Sequence, residues 1–384
     1  MTWKLLFRNA FRHRLRALLT VFGVAVAVLA FGLLSTLVDA WYAGVSAAAA
    51  NRLVVRNAIS LTFSLPIAYR EKIRAVDGVT AVSHMTWFGG IYVDRKNFFA
   101  NFAVEAETLL DLYPEYLIDP AEREAFQKDR KGCVVGRGLA RRFGWQVGDG
   151  ISLQGTIYRG DWPMVVRGIY RGREKSVDEN QLFFHWDYVN ERVKARTPRR
   201  ANNVGIFVVE IADPDAAPSV AAAVDALFRN SLAETLTETE RAFQLGFVSM
   251  SEAILTAIRL VSLVIIGIIM AVVANTMIMS VRERMHEFAV FKTLGFGAGR
   301  LAGMILGEAL VICAAGGALG IGLTFPALRV LAGYVGNIFP ILGIRAATLW
   351  LDVAAVLAVA LVAAAFPIRR VVAVRIVDAL GRVG

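Results

Sequence analysis

One acidic side chain interrupts an apolar stretch in the second half of the sequence. Glu308 follows Arg300 by eight residues, which is about 12 Å along an α-helix. An ionised side chain at the centre of a bilayer costs about 2.5–3.5 kcal/mol, so such groups turn towards polar partners inside a helix bundle. We therefore favour a structural or signal-passing hydrogen bond for Glu308 over a proton or substrate site.

Charged and apolar residues alternate at helical spacing in the segment just before Glu308. Four apolar side chains share one face of a predicted helix: Val281, Met285, Phe288 and Phe291. Gly295 is well placed to end this helix. A short amphipathic helix either docks into a groove of a partner protein or lies on the membrane surface, and the pattern leaves both open. The residues assigned to the docking surface are Arg282, Glu283, Arg284, Glu287, Phe288, Phe291, Lys292 and Gly295.

The residue types that carry catalysis or bind metals do not occur at the spacings that such sites need. The histidines are dispersed along the chain, at His13, His84, His185 and His286. The sequence has no H-E-x-x-H, G-x-S-x-G or G-x-x-x-x-G-K-[ST] motif. Its two cysteines, Cys133 and Cys313, are predicted to lie in different parts of the protein. We therefore predict no catalytic residue, no metal and no cofactor on this chain.

Four apolar stretches must position these side chains. The mean hydropathy of +0.53 and the hydrophobic content of 56% exceed those of ordinary soluble proteins, and each stretch reaches the roughly 20 residues that span a bilayer. We predict transmembrane helices at residues 17–38, 252–281, 300–330 and 346–368. For the first, a retained anchor is favoured over a cleaved signal peptide, because its apolar run exceeds a signal core.

Glycines recur at four-residue spacing in the third predicted span. Gly303 pairs in this way with Gly307, and Gly316 pairs with Gly320. Small residues at this spacing let helices approach closely in lipid. We therefore favour helix packing over cofactor binding for these glycines.

The formal net charge of +10 is concentrated next to the predicted spans. Residues 39–250 contain 26 basic and 26 acidic residues, whereas residues 1–16, 282–299 and 369–384 carry the basic excess. Basic flanks stay on the cytoplasmic side, so both termini and the 282–299 loop are predicted to be cytoplasmic. Residues 39–250 and the short 331–345 loop are then extracytoplasmic. This distribution argues against a nucleic-acid-binding face.

Residues 1–16 are predicted to form a helix at the membrane interface. Its basic stripe consists of Lys4, Arg8, Arg12 and Arg16. Apolar side chains lie beside the stripe, as in helices that dip into a membrane surface and hold lipid headgroups. A basic flank that only sets the orientation of the first span is the alternative.

The extracytoplasmic segment is predicted to be a mixed α+β domain between the first and second spans. Helices are predicted at residues 66–76 and from Asp213 through Phe228, where Asp and Pro suit a helix start. Strands are predicted at residues 79–93, 133–135, 151–153, 164–170 and 205–211. The stretch 113–132 suggests a boundary between two subdomains, and residues 231–250 are predicted to form a helical stalk.

The loop and the third span closely resemble the signature of the MacB/FtsX-type ABC transporter permeases, which include lipoprotein-release and macrolide-exporter-like members. The matching residues are Ser280-Val281-Arg282-Glu283-Arg284, Glu287-Phe288-Ala289-Val290-Phe291-Lys292, Leu294-Gly295, Glu308 and Gly316-Gly317-Ala318-Leu319-Gly320. Phe288-Ala289 replaces the commoner Ile-Gly. Residues 14–23, 367–370 and 378–380 also resemble the family's ends, and for residues 50–240 the similarity is architectural.

The resemblance implies a permease that acts with other chains in a bacterial inner membrane. In this family two permease copies, identical or paralogous, assemble with two copies of a cytoplasmic ABC ATPase that binds ATP and Mg²⁺. The 282–299 segment would be the coupling helix seated on that ATPase. MacB carries its ATPase on the same chain. The present sequence has no G-x-x-x-x-G-K-[ST] motif, so the resemblance implies that the ATPase is a separate chain here. Membrane lipid and a periplasmic adaptor or lipoprotein are further implied partners, and nucleic acid is not.

Two functions remain as expectations. In the first, ATP hydrolysis by the partner moves the outer domain, by mechanotransmission, to export or extract a lipid, lipoprotein, peptide or hydrophobic compound. In the second, the chain is a transmembrane signal transducer like FtsX and activates an extracytoplasmic partner such as a cell-wall hydrolase. The large outer domain and its balanced charge favour the exporter, but do not name a substrate.

Overall fold

The computed structural model describes residues 10–42, 45, 48–174, 176–335 and 342–373. Its α-helices are α1 (Arg14–Trp41), α2 (Tyr69–Arg74), α3 (Leu109–Leu112), α4 (Pro120–Lys128), α5 (Arg137–Phe143), α6 (Trp186–Arg196), α7 (Ala217–Leu227), α8 (Glu240–Ser249), α9 (Glu252–Glu283), α10 (Met285–Thr293), α11 (Ala298–Val335) and α12 (Ala346–Ala373). Its strands are β1 (Arg52–Asn57), β2 (Leu65–Pro66), β3 (Val79–Trp87), β4 (Gly90–Ile91), β5 (Ala100–Val104), β6 (Tyr116–Leu117), β7 (Gly132–Gly136), β8 (Gly150–Gly155), β9 (Gly160–Gly172), β10 (Gln181–His185), β11 (Asn203–Val204), β12 (Ile206–Ile211) and β13 (Thr235–Thr239).

Four of these helices are long and apolar enough to cross a membrane, namely α1, α9, α11 and α12. Each contains one of the apolar runs from which the spans are predicted. All the strands fall between α1 and α9 in the chain. The predicted class, a one-plus-three set of membrane helices with a sheet-containing domain between the first and second, is confirmed.

The chain divides into two compact units, each with its own core. The first unit contains the described parts of residues 1–40, 252–334 and 342–384, and it holds the four long helices. The second is built from residues 41–251. Cys313 is buried in the first unit and Cys133 in the second, as the sequence predicts.

Glycines let α1 and α11 pack at very short range. A Cβ atom placed on Gly316 would lie 2.6 Å from the Cβ of Val24, and one placed on Gly320 would lie 2.6 Å from the backbone oxygen of Ala25. These distances are far shorter than any real Cβ contact, so larger residues would force the helices apart. The predicted packing role therefore fits Gly316 and Gly320. At Gly303 a Cβ would meet nothing within 4 Å, so that part of the prediction is wrong within this chain.

One carboxylate lies inside the helix bundle without a hydrogen-bond partner. Asp352 of α12 is buried, and neither of its oxygens has a partner among the described residues. A Cβ on Gly32 of α1 would lie 3.1 Å from its Oδ2 atom and 3.4 Å from Thr324 of α11. The absence of a side chain at Gly32 therefore makes room for Asp352 beside α1.

The second unit is organised around an 11-stranded mixed sheet. Its strand order is β13-β1-β12-β3-β5-β10-β7-β9-β8-β4, and β6 pairs with β9. Strands β5 and β10 run parallel, as do β7 and β9, and the remaining neighbours are antiparallel. The small β2–β11 pair lies outside this sheet.

The central strands are buried on both faces of the sheet. In β7, Cys133 and Val135 belong to one apolar cluster, whereas Val134 between them belongs to another. The same alternation occurs in β10 and β12. Since successive side chains of a strand point to opposite faces, a strand covered on both sides is apolar at every position. This explains why β7 and β12 are recognisable in the sequence as short apolar runs, although β10, which has the same pattern, was not predicted.

The structure corrects three predictions for this unit. Residues 231–250 are not helical throughout, because Thr235–Thr239 forms strand β13 beside β1. The hydroxyls of Thr235 and Thr237 donate to Asp225 at 2.8 and 2.6 Å, which fixes this strand against α7. The predicted 66–76 helix shortens to Tyr69–Arg74. The predicted subdomain boundary at 113–132 is wrong, because residues 41–251 form one compact unit.

Candidate coupling site

A short helix, α10, connects the second and third membrane helices. Helix α9 ends at Glu283, and Arg284, with φ −105° and ψ 14°, breaks the helical path before α10 begins at Met285. At the other end, Gly295 has φ +85°, and the amide of Phe296 donates to the carbonyl of Phe291 at 3.0 Å. A glycine in the left-handed region with this bond is a common way to end a helix. Gly295 thus ends α10, as the sequence predicts.

A buried ion pair fastens the start of α10 to α11. Nη1 of Arg284 donates to Oε2 of Glu308 at 2.9 Å, and the hydroxyl of Ser280 donates to Oε1 of Glu308 at 3.1 Å. Arg284 is 7% exposed and Glu308 is 6% exposed. Glu308 thus has the polar partner that its position in an apolar helix requires. The coupling role predicted for Arg284 stays a prediction, and its side chain is turned inward towards Glu308.

Glu287 joins this pair to the segment that precedes α1. Nε of Arg284 donates to Oε2 of Glu287 at 3.0 Å, and Nη1 of Arg12 donates to Oε1 of the same carboxylate at 2.6 Å. Two guanidinium groups therefore share one carboxylate. The hydrogen bond from Arg12 is the largest cause that lowers the pKa of Glu287 below its ordinary value of 4.5, with Arg284 acting in the same direction. The carboxylate is consequently ionised at neutral pH.

The ion pair between Arg16 and Glu283 lies beside the one between Arg12 and Glu287. Arg16 donates through Nη1 and Nη2 to the two oxygens of Glu283, at 3.0 and 2.7 Å. His13 lies 3.3 Å from the same carboxylate. Arg12 and Arg16 are four residues apart, as are Glu283 and Glu287, so the two pairs match in register. Three arginines face three glutamates across this network, and its charge is balanced.

A hydrogen bond from Lys292 connects the C-terminal end of α10 to α12. The Nζ atom of Lys292 donates to the carbonyl oxygen of Val372 in α12, at 3.0 Å. Helix α10 is therefore joined to α11 by Arg284, to the segment before α1 by Glu287, and to α12 by Lys292. Movement of α10 would act on all three neighbours directly.

The apolar face of α10 packs inward. Phe288 is 3% exposed and belongs to the core of the helix bundle, together with Val281 of α9. Met285 and Phe291 are partly buried and pack against this core. The bundle of this chain already occupies that face, so the burial of Phe288 argues against direct contact with a partner, and its predicted coupling role stays a prediction.

The outward face of α10 consists of residues that the sequence pattern did not select. Leu294 is 68% exposed, and Val290 and Phe296 are also exposed. His286 is exposed four residues before Val290, so His286, Val290 and Leu294 follow one line along the helix. Arg282 is exposed at the end of α9. We call His286, Val290, Leu294 and Phe296 the outer face of α10.

Comparisons with known proteins match both halves of this architecture. Residues 17–227 match the family model described as MacB-like periplasmic core domain, and residues 259–375 match the one described as FtsX-like permease C-terminal. The first match alone covers more than half of the chain. This chain is an ABC transporter permease of the FtsX/MacB type.

Individual relatives of the permease agree with this assignment. An ABC transporter permease of Methanocaldococcus jannaschii is 24% identical over 309 residues, covering 75% of this chain and 74% of that protein. The macrolide export ATP-binding/permease protein MacB of Chromobacterium violaceum is 24% identical over 223 residues, covering 53% of this chain. The match spans only 32% of that MacB, about a third of its length.

A solved structure also aligns with the permease. The extracellular domain of the ABC-type transporter YknZ, from Gram-positive bacteria, aligns with 13% identity and a TM-score of 0.37. The alignment covers 49% of this chain and 99% of that domain. A TM-score of this size supports no inference by itself.

Two arginines of the basic stripe predicted for the N-terminal segment form ion pairs within the protein. Lys4 and Arg8 lie outside the described residues. Arg12 and Arg16, which were expected at lipid headgroups, pair with Glu287 and Glu283 instead. The matching four-residue spacings of the two arginines and the two glutamates were the signal in the sequence that could have revealed this pairing.

The remaining predicted residues of the permease are placed as follows. Gly307 is half-buried, next to the exposed Gly303. Gly316 and Gly320 lie against α1, as described above. Among the residues that the structure describes, no group of three His, Cys, Asp or Glu side chains is placed to hold a metal ion.

Proposed function

We propose that this permease couples ATP hydrolysis by a separate ATPase to motion of its 41–251 domain, in order to export or extract a lipid, lipoprotein, peptide or hydrophobic compound. In this proposal the 282–299 loop and both termini are cytoplasmic. Two permease copies act together in a bacterial inner membrane. ATP and Mg²⁺ are bound by the ATPase.

One observation carries the coupling part of the proposal. Helix α10 is fixed by ion pairs and a hydrogen bond to three other segments of the bundle, while its outer face stays exposed. A helix that only rested on the membrane would not need a buried ion pair to a membrane helix. A helix that receives a push from a partner needs both an exposed contact face and firm connections behind it. The two features occur together in α10.

The proposed cargo class is supported by two further points. The relative in Chromobacterium violaceum is named for macrolide export, and macrolides are hydrophobic compounds. The large outer domain and its balanced charge also favour an exporter. The cargo itself stays a proposal.

The test is co-purification and ATP hydrolysis with a separate ABC ATPase from the same organism. Leu294→Asp and Val290→Asp place a charge on the outer face of α10, so we expect loss of ATPase binding and of permease-dependent hydrolysis. Leu232→Asp is the matched control, because Leu232 is fully exposed in the 41–251 unit. Normal co-purification and hydrolysis by Leu294→Asp would contradict the coupling role of this face.

A second measurement separates transport from signalling. In lipid vesicles, hydrolysis by the complex should rise when a hydrophobic cargo is added. A rise only with a cell-wall hydrolase would instead favour the transducer, the alternative that the sequence leaves open.

A further inference from the structure

A cleft in the 41–251 unit is lined by several arginines. It has a volume of about 410 Å³ and lies between the β8–β9 hairpin and the C-terminal end of α6 with the turn that follows. The hairpin contributes Arg159, and the other side contributes Arg192, Arg196 and Arg200. No acidic residue lines the cleft. Its volume is in the range of ordinary small-ligand sites.

The four guanidinium groups have no carboxylate partner within the described part of the chain. Arg192 donates to the backbone oxygen of Asp161 at 2.8 Å, and Arg196 donates to the backbone oxygen of Arg159 at 2.9 Å. These bonds orient two of the side chains without neutralising them. The charge of the cleft is therefore available to a ligand.

This charge is a local concentration and not a property of the whole domain. Residues 39–250 carry as many acidic as basic side chains. Some other arginines of the unit form ion pairs, as Arg52 does with Glu115 and Glu240. Four unpaired arginines around one cleft would repel one another, so a bound anion would relieve an unfavourable arrangement.

Aromatic rings form the floor of the cleft. The guanidinium of Arg192 lies 4.1 Å from the ring centroid of Trp162, which is buried. Tyr158 stacks on Phe88 with ring centroids 5.7 Å apart. Burial raises the pKa of Tyr158, opposed by the charge of Arg200, so its hydroxyl is a neutral donor near pH 7. The ring of Trp162 supports Arg192, and the exposed Ile157 adds an apolar rim.

We propose that this cleft binds a phosphate or pyrophosphate group, with Arg159 and Arg200 as its principal ligands. Arginine presents a rigid fork of donors that matches phosphate oxygens, and a phosphate can accept from several forks at once. A single carboxylate, with one charge, would leave most of the four arginines unneutralised. The lining contains arginine and no lysine, which fits bidentate recognition. This inference concerns the 41–251 unit alone and does not depend on the proposed coupling to an ATPase.

The test is a calorimetric titration of the full-length protein in detergent with inorganic phosphate, inorganic pyrophosphate and a short-chain phosphatidate. Arg159→Gln and Arg200→Gln remove a charge from the cleft without removing any hydrogen bond within the protein. Arg199→Gln is the matched control, because Arg199 is exposed beside Arg200 but does not line the cleft.

We expect saturable binding by the wild-type protein, weakened about tenfold or more by Arg159→Gln and by Arg200→Gln and unchanged by Arg199→Gln. Tighter binding of the phosphatidate than of inorganic phosphate would assign the group to a lipid headgroup, and equal binding would assign it to a free phosphate. No saturable binding at millimolar concentrations would overturn the proposal. An equal loss in Arg199→Gln would also overturn it, because the attraction would then be diffuse.

Discussion

Arg284 and Glu308 form a buried ion pair, 2.9 Å between Nη1 and Oε2, that joins the residue just before α10 to the middle helix of the FtsX-like region. The two residues are 24 positions apart in the sequence, Arg284 between α9 and α10 and Glu308 within α11. Each is useful to the fold only while the other is present, since an unpaired buried charge is costly.

Removing one member of this pair should destabilise the protein more than removing both. We expect Arg284→Met or Glu308→Leu to lower the free energy of unfolding by about 3–5 kcal/mol, and the double variant to recover most of that loss. Thermal unfolding of the purified protein in detergent measures this. Arg282→Met is the control, since Arg282 is exposed and should be nearly neutral. Additive losses in the double variant would contradict a coupled pair.

The contribution of Glu287 should depend on pH in one direction. Its pKa is lowered in the folded protein by Arg12 and Arg284, so its stabilising effect is complete above the ordinary pKa of 4.5 and is lost as the pH falls through the lower folded value. The difference in thermal midpoint between wild type and Glu287→Gln should be constant from neutral pH to about 5 and shrink below about 4.5. A difference that grew on acidification would contradict the ion pairs.

Phe288 and Leu294 should respond to truncation in opposite ways, although both are large apolar residues of the same loop. Phe288→Ala should cost about 3–5 kcal/mol of stability, because the ring is buried in the bundle core. Leu294→Ala should leave the thermal midpoint unchanged and weaken association with the ATPase. Midpoints and co-purification yields of the two variants, measured side by side, test this contrast.

Alanine at two glycines of α11 should also give opposite results. Gly320→Ala should lower the thermal midpoint, because the new methyl would meet Ala25 and Val28 of α1. Gly303→Ala has open space and should be neutral or stabilising by up to about 1 kcal/mol through helix propensity. Equal midpoints for the two variants would show that the close approach of α1 and α11 is not a constraint.

Asp352 should be replaceable with a gain in stability. Its carboxylate is buried in a membrane helix, and the described residues offer it no hydrogen bond. We expect Asp352→Leu, of similar shape, to raise the thermal midpoint, because a membrane-buried polar group without a partner is costly. Asp39→Leu is the comparison and should lower it, since Asp39 accepts a hydrogen bond from Thr348 at 2.7 Å. A lower thermal midpoint for Asp352→Leu would contradict the prediction and would indicate that the Asp352 carboxylate has a hydrogen-bond partner.

The sequence predicted the membrane helices well, because a bilayer-spanning run is set by length and apolarity alone. It also predicted the central strands β7 and β12, where burial on both faces leaves an unbroken apolar signal. It failed for β13, because threonines with charged neighbours resemble a polar helix until Asp225 is seen to bind Thr235 and Thr237.

The coupling site also depends on tertiary contacts that the sequence pattern does not show. Helical periodicity correctly placed Phe288 on an apolar face, but it could not tell whether that face meets a partner protein or the chain's own bundle. The answer depends on how α1, α9 and α11 pack around Phe288, which the pattern within the loop does not show. The inward turn of Arg284 was hidden for the same reason, since its partner lies 24 residues further along the chain.

The break in the helical path at Arg284 has a mechanical consequence. A continuous helix would pass any load from α10 straight into α9 along the backbone. Because the helix is interrupted at Arg284, whose side chain binds Glu308, a load that the proposed coupling places on α10 would also reach α11 through a non-covalent bond. The strength of the Arg284–Glu308 ion pair, a few kcal/mol, then limits the load that this route can transmit before the pair separates.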